Sequence, residues 1–330
     1  MTESLFSSTT GKPPLIQENQ YRQSSPSVCY VDSAAQGQIS KLAQHLALAT
    51  FVLMAIGSAT RVMNAGLACP DWPLCYGQLI PQNQMNLQVF LEWFHRLDAS
   101  LVGFGTIVLA GLGWWKRQEL PRWTPWMCSL SLFLVVFQGI LGGLTVTQLL
   151  RFDIVTAHLG TALLFFSTLL SLSLLLRPYS PLATAHPLKP ISFVALLLVY
   201  AQSLLGGVVA SRWALHQCLG GSELCAVMNS HVIGVFPATI ACLGLVIWAK
   251  RIPSLSIVLR RLSVGIVAAL LTQIALGILA YKLHLQIEPL TVAHQSVGAI
   301  LLGLLVAFTL FVCRDEALLL HSGVNRSSIN

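Results

Sequence analysis

Four histidines offer this chain its clearest chemistry: His95, His158, His231 and His294, each beside a run of apolar residues. An ionisable side chain in such surroundings is expensive to keep and usually has a task. One lone helical histidine is more often a hydrogen bonder between helices than a metal ligand. Four at corresponding places favour ligation. Glu92 precedes His95 by three residues, which on a helix puts both on one face; Met228 stands at the matching place before His231. A carboxylate beside one histidine and not beside its counterpart predicts a division of labour, one site reacting and the other carrying electrons. The alternative for Glu92 is a solvated acid at a helix N-terminus, where the macrodipole favours it. Two close cysteine pairs, Cys69 with Cys75 and Cys218 with Cys225, complete the set.

The elements that position these residues follow from hydropathy. Only 9% of the residues are charged and 55% are hydrophobic, too little charge to cover a soluble domain. The apolar residues fall in eight blocks, about 43–61, 97–115, 125–147, 155–176, 191–210, 230–249, 262–281 and 290–313, close to the roughly 20 residues that a span requires. Lipid leaves no partner for free backbone polar groups, so the blocks are predicted helices. The first 40 residues are polar, with no apolar core behind a basic start, and are expected to form a disordered tail and not a cleaved signal peptide.

The net charge of +7 does not point to nucleic acid. Of the 19 Lys and Arg, only Arg61, Arg96, Arg151, Arg212 and Lys282 fall at the loops that follow odd-numbered helices. That asymmetry is the positive-inside pattern, with both termini cytoplasmic. It places the four histidines at similar depth, just inside the outer boundary. Both cysteine pairs then face the oxidising side, where each is expected to close a short disulfide; unrelated thiols are the alternative.

The chain repeats itself. The interval from Gly57 to Cys69 equals that from Gly206 to Cys218, Gln138 and Gly142 are matched by Gln273 and Gly277, and Val155-Thr156-Ala157-His158 is matched by Thr291-Val292-Ala293-His294. Four helices per half give both halves one orientation, related by a pseudo-twofold axis along the membrane normal. The predicted fold is an all-α integral membrane protein of two tandem four-helix bundles. It comprises a tail (1–40), a first half (41–177), a cytoplasmic linker (178–189), a second half (190–314) and a second tail (315–330). Each half offers two histidines, from its second and fourth helices. Zinc draws three or four ligands, commonly with cysteine or carboxylate, whereas two histidines on separate helices of a bundle suit the two faces of a haem. Haem propionates would point outward, towards Arg96, Arg151, Arg212 and Lys282; ordinary interfacial anchoring is the other role open to these bases.

The stretch Gly66-Leu67-Ala68-Cys69-Pro70-Asp71-Trp72-Pro73-Leu74-Cys75, with Gly77 and Pro81 after it, resembles the first outer loop of haem A synthases. So does Glu92-Trp93-Phe94-His95-Arg96, and the Thr-Ala-His of 156–158 and Val-Ala-His of 292–294 fit as well. The second cysteine loop, Trp213 to Cys225, is less similar. The resemblance covers about 41–314. It implies oxidation of the C8 methyl of haem O to a formyl group, giving haem A for terminal oxidases. It also implies a substrate haem between His95 and His158 with Glu92 as the catalytic carboxylate, and a haem b between His231 and His294. Cys69 and Cys75 would then be redox-sensitive, and Cys218 with Cys225 structural. Haem O synthase becomes the expected donor and an unspecified electron acceptor the expected partner. Self-association is compatible with this reading, and the expected location is the plasma membrane or another energy-transducing membrane.

Two rival classes share parts of the pattern. A dihaem b-type electron carrier linked to quinone explains four histidines but gives no work to Glu92 or the cysteines. A quinone-linked thiol-disulfide oxidoreductase uses the cysteines, yet neither pair has the reactive Cys-x-x-Cys spacing and the histidines are left idle.

Overall fold

Capping residues decide where several of the helices begin. Ser33 accepts a hydrogen bond from the Gln36 amide, Asn86 from Val89 and Ser256 from Leu259, each satisfying a donor that the first helical turn leaves free. The computed structural model describes residues 33–179, 186–210, 223–253, 255–283 and 287–321. They form α1 (Ala34–Val62), α2 (Leu87–Trp115), α3 (Thr124–Thr147), α4 (Phe152–Leu175), α5 (Lys189–Val209), α6 (Glu223–Lys250), α7 (Ile257–Lys282) and α8 (Glu288–His321). All eight are long and apolar enough to cross a membrane, and no strand occurs among the described residues. The protein is an all-α, multi-pass membrane protein.

Three boundaries differ from expectation. α1 starts at Ala34, inside the expected tail, because Ser33 caps it and Ala35 and Ile39 are fully buried while the Ser40 hydroxyl donates to the Ser173 carbonyl at 2.9 Å. α8 runs on to His321, past the expected end at 314, through Glu316-Ala317-Leu318-Leu319-Leu320, all strong helix formers. α2 starts at Leu87, well before the apolar block at 97. Glu92, His95, Arg96 and Asp98 lower the local hydropathy without ending the helix.

Each half closes on itself. α1 packs on α2, α2 on α3, α3 on α4 and α4 on α1; α5 to α8 repeat the cycle. Between halves, α4 meets α5, α8 meets α1, and α4 meets α8. Exchanging the halves leaves this set of pairings unchanged, which is consistent with a twofold relation. The central pair is also the most buried: 50% of the α4 span and 56% of the α8 span lie inside, against 33% or less for the other six. There Phe165, Leu169, Leu172, Leu302, Leu305 and Phe308 are almost wholly shielded, and the Phe166 ring packs against Gly303. At the end of this pair remote from the first loop, Tyr179 donates to Asp315 at 3.0 Å and lies under the Arg314 guanidinium. Burial, with hydrogen bonding to Asp315 adding to it, pushes the Tyr179 phenol up to about 12, so it remains a donor.

Candidate functional site

Consecutive spans run in opposite directions, so α2, α4, α6 and α8 all begin at one end of the molecule. His95, His158, His231 and His294 lie in the second or third turn of these four helices, at one common level. The same interval separates His95 from His158 and His231 from His294.

Each ring rests on a glycine of the preceding helix. A Cβ built on Gly57 would lie 2.8 Å from Cε1 of His95; the corresponding distances are 3.5 Å for Gly142 and His158, 3.0 Å for Gly206 and His231, and 2.9 Å for Gly277 and His294. A real Cβ does not tolerate the approach at Gly57 or Gly277 and would be tight at Gly206, so at these three places the absence of a side chain lets the imidazole come close to the neighbouring backbone. One turn earlier on three of these helices an amide holds the histidine. Gln138 donates to the His158 carbonyl at 3.0 Å, and Gln202 to the His231 carbonyl at 2.6 Å while lying 3.0 Å from His231 Nδ1. Gln273 lies 3.3 Å from a ring nitrogen of His294. On α1 the matching residue, one turn before Gly57, is Leu53.

The geometry can be tested against a haem. Two imidazoles on opposite faces of one metal ion, each about 2 Å from it, have ring centroids about 6 Å apart. Those of His231 and His294 are 6.5 Å apart, with their planes at 83°. His95, His158 and His294 each keep a shielded Nδ1 without a hydrogen-bond partner among the described residues, and a buried polar atom left so costs roughly 1–3 kcal/mol. Among the described residues no three His, Cys, Asp or Glu converge on one point; the histidines come as pairs. His231 and His294 fit a haem held from both faces.

The first pair has an additional structure over it. The loop between α1 and α2 is closed by a disulfide between Cys69 and Cys75, both almost wholly buried. Asp71 accepts from the amides of Tyr76 at 2.6 Å and Gly77 at 2.7 Å, which bridges a turn in which both residues adopt positive φ. These amides, that of Gly77 foremost, hold the Asp71 carboxyl below its ordinary range, and nearby Arg96 adds to the effect. Trp72 reaches back onto α3, where a Cβ on Gly143 would lie 3.2 Å from its ring. Gly142 and Gly143 thus seat His158 and Trp72 side by side.

α2 grips this loop from below. Glu92 is only 4% exposed: Oε2 accepts from the Cys69 amide at 2.8 Å, and Oε1 pairs with Arg96 at 2.5 Å. It is not a solvated acid at a helix start. Arg96 also donates to the carbonyls of Asp71 and Leu74, and Trp93 to that of Leu79 at 2.7 Å. Met228, at the matching place on α6, is half-buried and carries no charge.

The other expected residues are placed as follows. The Arg151 guanidinium pairs with Asp153 at 2.7 Å in an exposed setting, and Lys282 is exposed at the end of α7. Cys218 and Arg212 lie outside the described residues, as does the side chain of Cys225. Gly57 and Gly206 entered the sequence reading only as markers of the repeat, and Gln202 not at all. The spacing Gln-x-x-x-Gly at 138–142, 202–206 and 273–277 was the signal for all three amides.

Comparison with known proteins agrees with this layout. A family model described as COX15-CtaA, cytochrome oxidase assembly protein, matches residues 41–306. The chain is 29% identical to the heme A synthase of Shewanella oneidensis over 80% of its own length and 93% of the relative's. It is 28% identical to the heme A synthase of Caulobacter vibrioides over 80% and 92%, and 24% identical to that of Shouchella clausii over 84% and 98%. With four-fifths of the chain inside the family match, and both histidine pairs with it, the chain belongs to the COX15-CtaA family of cytochrome oxidase assembly proteins.

Proposed function

We propose that the protein is a haem A synthase, an oxidoreductase that converts the C8 methyl of haem O to the formyl of haem A. One observation carries the reading: two histidine pairs share one architecture, and among the described residues only the first has a buried carboxylate beside it. The relatives named heme A synthase support it. In this reading His95 and His158 hold the substrate haem and His231 with His294 hold haem b, which when bound supplies an electron-carrying iron.

Converting methyl to formyl takes one oxygen from water and releases four electrons and four protons. Positive charge develops on the carbon as electrons leave. Glu92, three residues from His95, is the only acid buried at this level of α2, and a fixed carboxylate shielded from water stabilises such charge or accepts a proton from attacking water. Arg96 and the Cys69 amide hold Glu92 in place before reaction. The haem b that His231 and His294 would hold would supply the route for these electrons to an unspecified acceptor. The Lys and Arg asymmetry supports an orientation with both termini cytoplasmic and the histidines near the outer surface. Haem O arriving from haem O synthase is consistent with this placement.

The test is expression in a host that makes haem O but no haem A, followed by pigment extraction. Haem A together with haem b is expected. Haem b alone would return the protein to the electron-carrier class, and absence of haem would leave the thiol-disulfide reading.

A further inference from the structure

The two seams between the halves are built differently. Where α4 meets α5 the contact carries no charge: Leu159, next to His158, lies on Gly207, next to the glycine that seats His231, and the Tyr200 hydroxyl donates to the Gly160 carbonyl at 3.2 Å. Where α8 meets α1 the equivalent contact is polar. Arg61, one turn beyond Gly57 on the same face of α1, donates to Gln295 at 3.0 Å, and Gln295 is next to His294. A single guanidinium therefore stands over the seat of His95 and touches the neighbour of His294.

Among the described residues that cation has no acid partner. Arg96 and Arg151 form salt bridges with Glu92 and Asp153, whereas the Nε of Arg61 is shielded from solvent with no hydrogen-bond partner among the described residues. A partly buried guanidinium using one of its five donors is costly unless an anion completes it. Arg96 is already engaged by Glu92 and two loop carbonyls, and Arg151 by Asp153. Planar, forked donors suit a carboxylate, and haem carries carboxylates at the edge that would face this end of the bundle.

We propose that Arg61 is a carboxylate-binding residue at the α1–α8 seam, receiving a propionate of a haem held by the histidine pairs. The proposal rests on the haem A synthase reading above. Both haems carry the same group, and they make different predictions. If the propionate belongs to the substrate, loss of Arg61 weakens haem O binding. If it belongs to haem b, loss of a nearby positive charge makes the iron harder to reduce.

The experiment uses purified full-length protein carrying its haem b, with haem O added, in four forms: unaltered, Arg61→Gln, Arg61→Lys and Gln295→Leu. Arg61→Gln should weaken haem O binding about tenfold or more, a typical loss for one charge-assisted pair, or lower the haem b midpoint potential. Arg61→Lys should recover part of either effect, because it keeps the charge and loses the fork. Gln295→Leu removes the cross-brace and spares the cation, so it should lower thermal stability with haem O binding and potential near those of the unaltered protein. Unchanged binding and potential in Arg61→Gln, with a stability loss like that of Gln295→Leu, would make Arg61 a brace and overturn the proposal. Unaltered protein that binds neither haem would overturn the reading beneath it.

Discussion

The backbone amide of Cys69 donates to the Glu92 carboxylate at 2.8 Å, so a residue of the disulfide-closed loop and the buried acid of α2 share one hydrogen bond. The other carboxylate oxygen is held by Arg96, which also ties the loop at Asp71 and Leu74. Loop and acid form one unit above the first histidine pair.

Glu92→Gln keeps the size of the side chain and removes its charge. The formyl-forming rate should fall about 10²–10⁴-fold, the usual range for a general acid or base, while haem b content stays unchanged because α6 and α8 are untouched. Pigment analysis of the purified variant measures both. Near-normal haem A would reduce Glu92 to an anchor for the loop.

Replacing the histidines should split the halves. His231→Leu or His294→Leu is expected to remove most low-spin haem b, since in the proposed reading the iron would lose one of the two histidines that hold it. His95→Leu or His158→Leu should abolish product and leave that haem in place. Reduced-minus-oxidised spectra, read alongside thermal unfolding, decide it; equal loss of haem b in all four would contradict two separate sites.

The glycine seats predict a graded series. A methyl at Gly57, Gly206 or Gly277 would sit 2.8–3.0 Å from a histidine ring, whereas at Gly142 it would find 3.5 Å, an ordinary contact. Alanine at the first three should cost about 1–3 kcal/mol by overpacking and displace the ring. Gly206→Ala and Gly277→Ala should lower haem b content, and Gly57→Ala should lower product formation. Gly142→Ala should behave like the unaltered protein. If all four variants behave alike, close packing is not what sets the ring positions.

Asp71 sets a pH dependence. Its folded value lies below the ordinary carboxylate range, so its contribution to stability is complete above the unfolded value of about 3.9 and disappears as pH falls through the lower folded value. The difference in unfolding temperature between the unaltered protein and Asp71→Asn should therefore hold constant from neutral pH to about pH 4, then shrink. A difference already gone in mildly acidic buffer would assign the effect to another group.

Much of this arrangement can be read from the chain without coordinates. Spans are legible because an apolar block is a property of one contiguous stretch, and the four histidines stand out against such blocks. The start of α2 at Leu87 was hidden for the same reason: Glu92, His95, Arg96 and Asp98 depress the average that reveals a span. The seats at Gly57 and Gly206 were hidden because each is a contact between two helices, and glycine is frequent in membrane helices anyway. Arg61 looked like one basic residue at a helix end until the position of Gln295 gave it a neighbour.

The shared level of the four histidines has an electrical consequence. Moving a charge through the membrane field costs or yields about 2.3 kcal/mol per 100 mV, but only for displacement along the normal. Both pairs lie in the second or third turns of helices that begin at one end of the molecule, so in the proposed reading an electron passing from the first site to the second would travel sideways and meet almost none of that field. In sealed vesicles the inter-site step should run at the same rate with and without an imposed voltage. Any voltage sensitivity in the whole reaction would then belong to the release of protons or to the final acceptor.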